Sequence, residues 1–401
     1  MKLNFQILTI LFFIMPEYIS AREKGGDHTV VIVSNPRTSD AISEIVEVEL
    51  ADLEKRHSSS HFYVIDSVGR EIPSQRTYDK KFIFQADVVS KGESSYKIFP
   101  AEKDHTYENV VEGNIYPLRK DDLAWENERG GYRAYGPGTR KDGEKAYGYD
   151  IFFKHPRRQP ILPILYKGVT SPENRNKLDS LRKTNPKEAK KFSRSLSYHV
   201  DHGLGMDCYA VGPTLGAGAT ALMHKDSIIY QGCYNCAEIL DNGPIRFTCR
   251  LDFPAFTANG NEFVTEHRLI TLDSKSNLNR CQVWYDGADG EIEVSVGLPL
   301  RDSSEVYSDM DLGIVAYADP TQGKNNGKAM LGIILTEKPD RISRLHGHIL
   351  ARNTLKPGGI LEYYWGFAWD RESPFDFAGW NEYLKEFSQK SRQRLDVRIH
   401  N

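Results

Sequence analysis

The sequence predicts a mostly β fold: a large antiparallel β-sandwich with short helical excursions and a C-terminal helix. Three observations predict it. Short β-branched or alternating runs recur along the whole chain, turn-forming clusters of Ser, Asp, Gly and Pro bound them, and no regular alternation of strand with helix pattern is present.

In the first part the runs are Thr29–Val33, Ile45–Val48, His61–Ile65, Phe82–Ala86 and Tyr96–Phe99. In the second they are Ile245–Cys249, Phe263–Ile270, Glu291–Val296, Gly313–Tyr317 and Leu331–Leu335. Two regions break the pattern. Pro172 to Arg194 is charged and poor in large apolar residues, which predicts a mobile or helical excursion. From Phe377 to Leu395, Trp380, Tyr383, Leu384 and Phe387 recur at helical spacing, which predicts a helix packed on a sheet.

Lys2 precedes the apolar run Ile7–Met15, and Ile19-Ser20-Ala21 ends in a small residue, so residues 1–21 are expected to be a cleaved secretory signal peptide. The protein is then expected to be exported and periplasmic. The run is short for a membrane span and no cysteine follows it, so no membrane anchor is expected. Residues 22–111 are expected to form an N-terminal β-sandwich lobe, and 112–401 the main β-sandwich domain carrying the site. With 52 basic against 55 acidic residues there is no basic stripe for nucleic acid. Cys233-x-x-Cys236 is a single pair in a chain of five cysteines, a poor zinc pattern and, in an exported protein, one expected to be structural or oxidised.

Chemistry concentrates in three places. Tyr198-His199-Val200-Asp201-His202-Gly203 runs on to Asp207-Cys208-Tyr209 and the glycine-rich Val211–Gly218. Imidazoles, carboxylates and phenols beside permissive backbone suggest proton transfer. Around Trp125–Gly138, Arg133 and Tyr135 share one face of an extended segment, a guanidinium beside a phenol that could grip a carboxylate. Near the end, Trp369 and Asp370 form a pair of the kind that binds sugars. The glycine-rich stretch lacks the Gly-Lys-Ser/Thr end of a phosphate loop, no Gly-x-Ser-x-Gly elbow is present, and His346-Gly347-His348 has no evident third metal ligand.

The combination Trp125-Glu126-Asn127, Tyr135-Gly136-Pro137, Tyr198-His199-x-Asp201-His202-Gly203, Asp207-Cys208-Tyr209-x-Val211-Gly212, Asn242-Gly243-Pro244-Ile245-Arg246 and Gly366-x-x-Trp369-Asp370 resembles a family of exported proteins. That family, first described as a domain of unknown function, occurs in polysaccharide-utilisation loci of Bacteroidota. Within it the chain is most similar to members that dehydrate ulvan oligosaccharides. The resemblance implies loss of water from a glucuronic or iduronic acid at the non-reducing end of an acidic oligosaccharide, leaving a 4,5-unsaturated uronyl end. It carries no residue-by-residue assignment of roles.

Those roles follow from the reaction. Removing the C5 proton places charge on the carboxylate, which needs a cation: Arg133 or Arg246. A base takes the proton and an acid assists the departing 4-hydroxyl; His199, His202, Tyr135 and Tyr209 are the candidates. Asp201, Trp369 and Asp370 are candidates for binding. No nucleotide or redox cofactor is required, although His199, Asp201 and His202 could share one divalent metal ion. The alternatives are a glycoside hydrolase using two of Asp201, Asp207 and Asp370, or a non-catalytic glycan-binding protein.

Overall fold

A computed structural model describes residues 28–155, 159–258, 261–301 and 305–400. The expected signal peptide at 1–21 lies outside them. Among the described residues, no helix is long and apolar enough to cross a membrane. Seven of the ten runs named from sequence lie within observed strands and the other three, starting at Ile245, Glu291 and Gly313, begin one residue ahead of theirs; the fold is the mostly β, antiparallel one expected.

Two small sheets form the first layer pair. One has the order Asp396–His400, Thr29–Ser34, Glu93–Ala101, His61–Ile65, Glu71–Ile72; the other joins Ala41–Glu49, Lys81–Val88 and Ser74–Arg76. Alternating residues such as Val31, Val33, Val46, Val48, Phe82 and Phe84 point into their shared core, which helix α1 (Leu50–His57) closes with Leu50 and Leu53. The last strand of the chain, residues 396–400, thus lies beside the first.

The large sandwich faces a nine-stranded antiparallel sheet, built mainly from residues 236–286 and 306–369, against two five-stranded sheets. One of these contains Glu112–Tyr116, Asp122–Glu126, Gly131–Ala134, Asp150–Lys154 and Gly205–Met206 in register. The other is centred on Thr220–His224, Ile292–Pro299 and His348–Leu355. Trp125, Tyr132, Tyr149, Phe247 and Trp365 fill the space between. Arg268 ties the three sheets together from inside this core. Its guanidinium donates to Glu266 on its own strand at 2.5 Å, to Tyr149 Oη at 3.1 Å and to the carbonyl of Thr220 at 3.3 Å.

The remaining helices after the short α2 (Pro137–Lys141) lie on outer faces. Helices α3 (Leu162–Thr170), α4 (Pro172–Thr184) and α5 (Pro186–Leu196) form the excursion expected near Pro172. Ser171 and Asn185 cap α4 and α5 by accepting from backbone N–H groups, and each is followed by Pro at the first helical position, where a missing N–H costs nothing. Helix α3 carries the packing. Leu162, Leu165 and Tyr166 bury against Ala124, Phe152 and Tyr198 on the outer face of the sheet that holds Gly131–Ala134. Helix α6 (Phe377–Arg392) lays Trp380 and Leu384 on Ile314, Ala316, Met330 and Ile334 of the nine-stranded sheet, as its aromatic spacing predicted.

Candidate functional site

The sheet face under α3–α5 holds a buried polar cluster. Arg133 and Asp150 sit opposite each other on adjacent strands, Arg133↔Asp150 in register, so their side chains meet on one face. The Arg133 guanidinium is ion-paired to Asp150, donates to Asp207 Oδ2 at 2.9 Å, and stands 3.8 Å from Asp122. Tyr135 Oη donates to Asp150 at 2.7 Å. Two arginines, Arg133 and Arg119, face three carboxylates here. Burial, then the adjacent Asp150, push the Asp207 carboxyl up to about 8 against the pull of Arg133, and burial raises Asp122 as well.

A raised carboxyl binds a proton on folding. Its stabilising contribution is complete below the unfolded-state pKa and is lost as pH rises through about 8. Asp207→Asn, which fixes the neutral form, is therefore expected to flatten the fall in melting temperature expected of the wild type between about pH 4 and 8. Identical slopes in the two proteins would contradict a protonated Asp207.

Above this cluster lies a cavity of about 250 Å³ lined by Arg119, Arg175, Tyr198, His199 and the ends of α3 and α5. His199 Nδ1 lies 3.0 Å from the carbonyl oxygen of Asp207 and 3.6 Å from its carboxylate. A carbonyl only accepts, so Nδ1 carries the proton and Nε2 is left as the basic atom. The side chain is 57% exposed. Tyr198 lies beside it, ring centroids 4.6 Å apart, and its phenol oxygen accepts from Arg119 Nε at 2.9 Å with Arg133 at 3.5 Å. The arrangement places an imidazole base, a phenol facing two guanidinium groups, and arginines able to hold an anion around one small space.

The other residues singled out from sequence occupy different places. His202 is exposed and bonds the carbonyl of Arg194 at the end of α5, so the two motif histidines face different surroundings. Asp201 serves neither of them. It accepts from Gly203 and Gly205 N–H and pairs with His155 Nε2 at 2.8 Å, while His155 Nδ1 meets Glu372 at 2.6 Å. Burial would lower the His155 pKa, but its two carboxylate partners raise it, and the ring clamps the loop between them. Since His199, Asp201 and His202 point to separate partners, they do not converge on one ion. Among the described residues, no group of three or more His, Cys, Asp or Glu could hold a metal.

Arg133, expected to grip substrate, is enclosed by the three aspartates. Arg246 is likewise committed, to Asp273 at 2.6 Å and Glu47 at 2.7 Å, where it joins the small sheets to the sandwich. Tyr209 is buried, with its hydroxyl unpartnered among the described residues and Arg301 over its ring. Tyr135 is half-buried and turned towards Asp150. Trp369 is buried between Phe153 and Arg371, with its indole N–H on Asn326, so neither ring face is open to a sugar. Asp370 caps the N–H of Lys328.

The glycines serve packing. A Cβ at Gly205 would stand 2.0 Å from the Phe153 carbonyl, and one at Gly216 2.2 Å from that of Tyr149; both have positive φ. His348 holds the same glycine-rich loop, accepting from Leu215 N–H. All five cysteines are free thiols, Cys233 buried and Cys236 exposed, so the expected oxidised pair is not formed here. Sequence reasoning passed over Arg119, Arg175 and His155. Arg119 ends a 3₁₀ turn, Pro117–Arg119, that carries no motif.

The fold and the cavity that brings together His199, Tyr198, Arg119 and Arg175 are the setting for the comparisons, which supply the family. The chain belongs to the family described as "Domain of unknown function (DUF4861)", which matches residues 33–397. It is 25% identical over 422 residues to "Uncharacterized protein P7" of Formosa agariphila, covering 97% of this chain and 98% of that one. Among solved structures, an α-mannosidase from Enterococcus faecalis V583 is similar at a TM-score of 0.48 and 9% identity, over 96% of this chain. A glycosyl hydrolase family 38 protein from Enterococcus faecalis is similar at 0.44 and 9% identity, over 93%. This chain spans 47% of each of those two.

Proposed function

We propose that the protein is a carbohydrate-active dehydratase, a lyase that eliminates water from a glucuronic or iduronic acid at the non-reducing end of ulvan-type oligosaccharides. The observation that carries this reading is the convergence of His199, Tyr198, Arg119 and Arg175 on one cavity. The arginines would neutralise the uronate carboxylate, which makes the C5 proton acidic enough for a side-chain base. His199 Nε2 would take that proton, and the Tyr198 phenol would give one to the departing 4-hydroxyl, the resulting phenolate being stabilised by Arg119 and Arg133. The family resemblance of the motifs supports the uronic-acid substrate, and the apolar leader supports export to the periplasm.

A glycoside hydrolase needs two carboxyl groups flanking its bond. No carboxylate lines this cavity among the described residues: Asp207 lies behind His199, Asp201 holds His155, and Asp370 caps a backbone N–H. Absorbance of a conjugated alkene acid separates the readings. Elimination is expected to generate it without added cofactor and after exhaustive chelation, whereas hydrolysis or simple binding leaves the absorbance flat. A strict requirement for nicotinamide or a divalent ion would contradict the acid–base mechanism.

A further inference from the structure

The cavity beside His199 shares part of its wall with a second, larger space. A groove of about 460 Å³ between α4 and α5, lined by Arg182, Lys190, Arg194 and Val200, shares Ser193 and Ser197 with the cavity wall.

Charge on this hairpin is strongly one-sided. Residues 172–196 carry eight basic and three acidic side chains, in a chain whose net charge is −3. Arg182, Lys190 and Arg194 are all exposed. Arg182 has one surface partner, Asp179 at 3.0 Å, while Lys190 and Arg194 meet no carboxylate among the described residues. Packing does not explain the composition, since α4 buries no residue and α5 only Ala189. Uncompensated cations at a groove focus the local field and raise the concentration of anions there.

We propose that the α4–α5 groove binds the anionic groups, sulfate esters or carboxylates, on the sugars that adjoin the reacting terminal residue. This rests on the reading of the cavity as a uronic-acid site and extends it. The small cavity takes the terminal ring, and the basic groove receives the next units, so the hairpin sets a preference for polyanionic oligosaccharides over single uronic acids.

The test is calorimetric binding of a sulfated uronic-acid tetrasaccharide and of its chemically desulfated form to the wild-type protein and to the triple variant Arg182→Ala/Lys190→Ala/Arg194→Ala. These side chains are exposed, so folding is expected to be retained, and circular dichroism checks it. The sulfated probe is expected to bind the variant on the order of tenfold more weakly, with a shallower salt dependence than the wild type shows. If only the sulfated probe is affected, the groove reads sulfate; if both are, it also reads carboxylate. Equal affinity of wild type and variant for both probes, or no binding to the wild type, would overturn the proposal. Weakened binding in a protein that never dehydrates would leave this inference standing while removing the proposed reaction. Dehydration with unchanged binding in the variant would do the reverse.

Discussion

His199→Gln is expected to lower turnover by roughly a hundredfold or more while leaving the melting temperature near that of the wild type. His199 Nδ1 meets the Asp207 carbonyl, with the Asp207 carboxyl at 3.6 Å, and more than half of its side chain is in solvent. A glutamine amide can donate to the same carbonyl but cannot take a proton at neutral pH. His202→Gln is the internal control. Among the described residues that ring meets only the Arg194 carbonyl, on the outer surface, so its variant is expected to keep near-normal turnover. Measuring turnover and melting temperature on both variants separates catalysis from support of the loop. Wild-type turnover in folded His199→Gln would remove the base from the mechanism.

Arg133→Met is expected to cost on the order of 3–5 kcal/mol of stability. The guanidinium is 3% exposed and is the shared cation of Asp122, Asp150 and Asp207, all themselves buried. Methionine fills much of the volume but leaves the three buried aspartates with Arg119, 3.8 Å from Asp122, as their remaining cation. Adding Asp207→Asn to the variant is expected to recover part of the loss, because one fewer carboxyl must then be kept protonated. Chemical denaturation of the single and double variants checks both statements. An unfolding midpoint unchanged by Arg133→Met would contradict the role of Arg133 as the keystone of this cluster.

The strands that sequence revealed either have one wet face or, like Ile314–Pro320 and Lys328–Leu335, are continuous apolar runs buried almost throughout. Thr29–Ser34 alternates buried and half-buried residues, and its hydrophobic alternation is visible directly. Asp122–Glu126, Gly131–Ala134 and Asp150–Lys154 are buried at every position, so period-two polarity vanishes from them. The partner of Arg133 across strands, Asp150, is 17 positions away and carries no motif, which is why Arg133 looked free to hold substrate. The His199 motif was legible because its residues are dense in sequence. Its partners were not: Tyr198 is met by Arg119 from 79 positions away, and Asp201 turns to His155 and not to a neighbouring histidine. Proximity along a loop could not show which imidazole would be left with a free nitrogen.

Mass spectrometry of uronic-acid oligosaccharides after incubation with the protein tests the central claim most directly. A terminal uronic acid that loses its C5 proton and 4-hydroxyl at the Tyr198–His199 cavity yields a product lighter by one water, with the chain uncleaved and no new reducing end. Shorter chains that have gained water, or substrate returned unchanged, would contradict it.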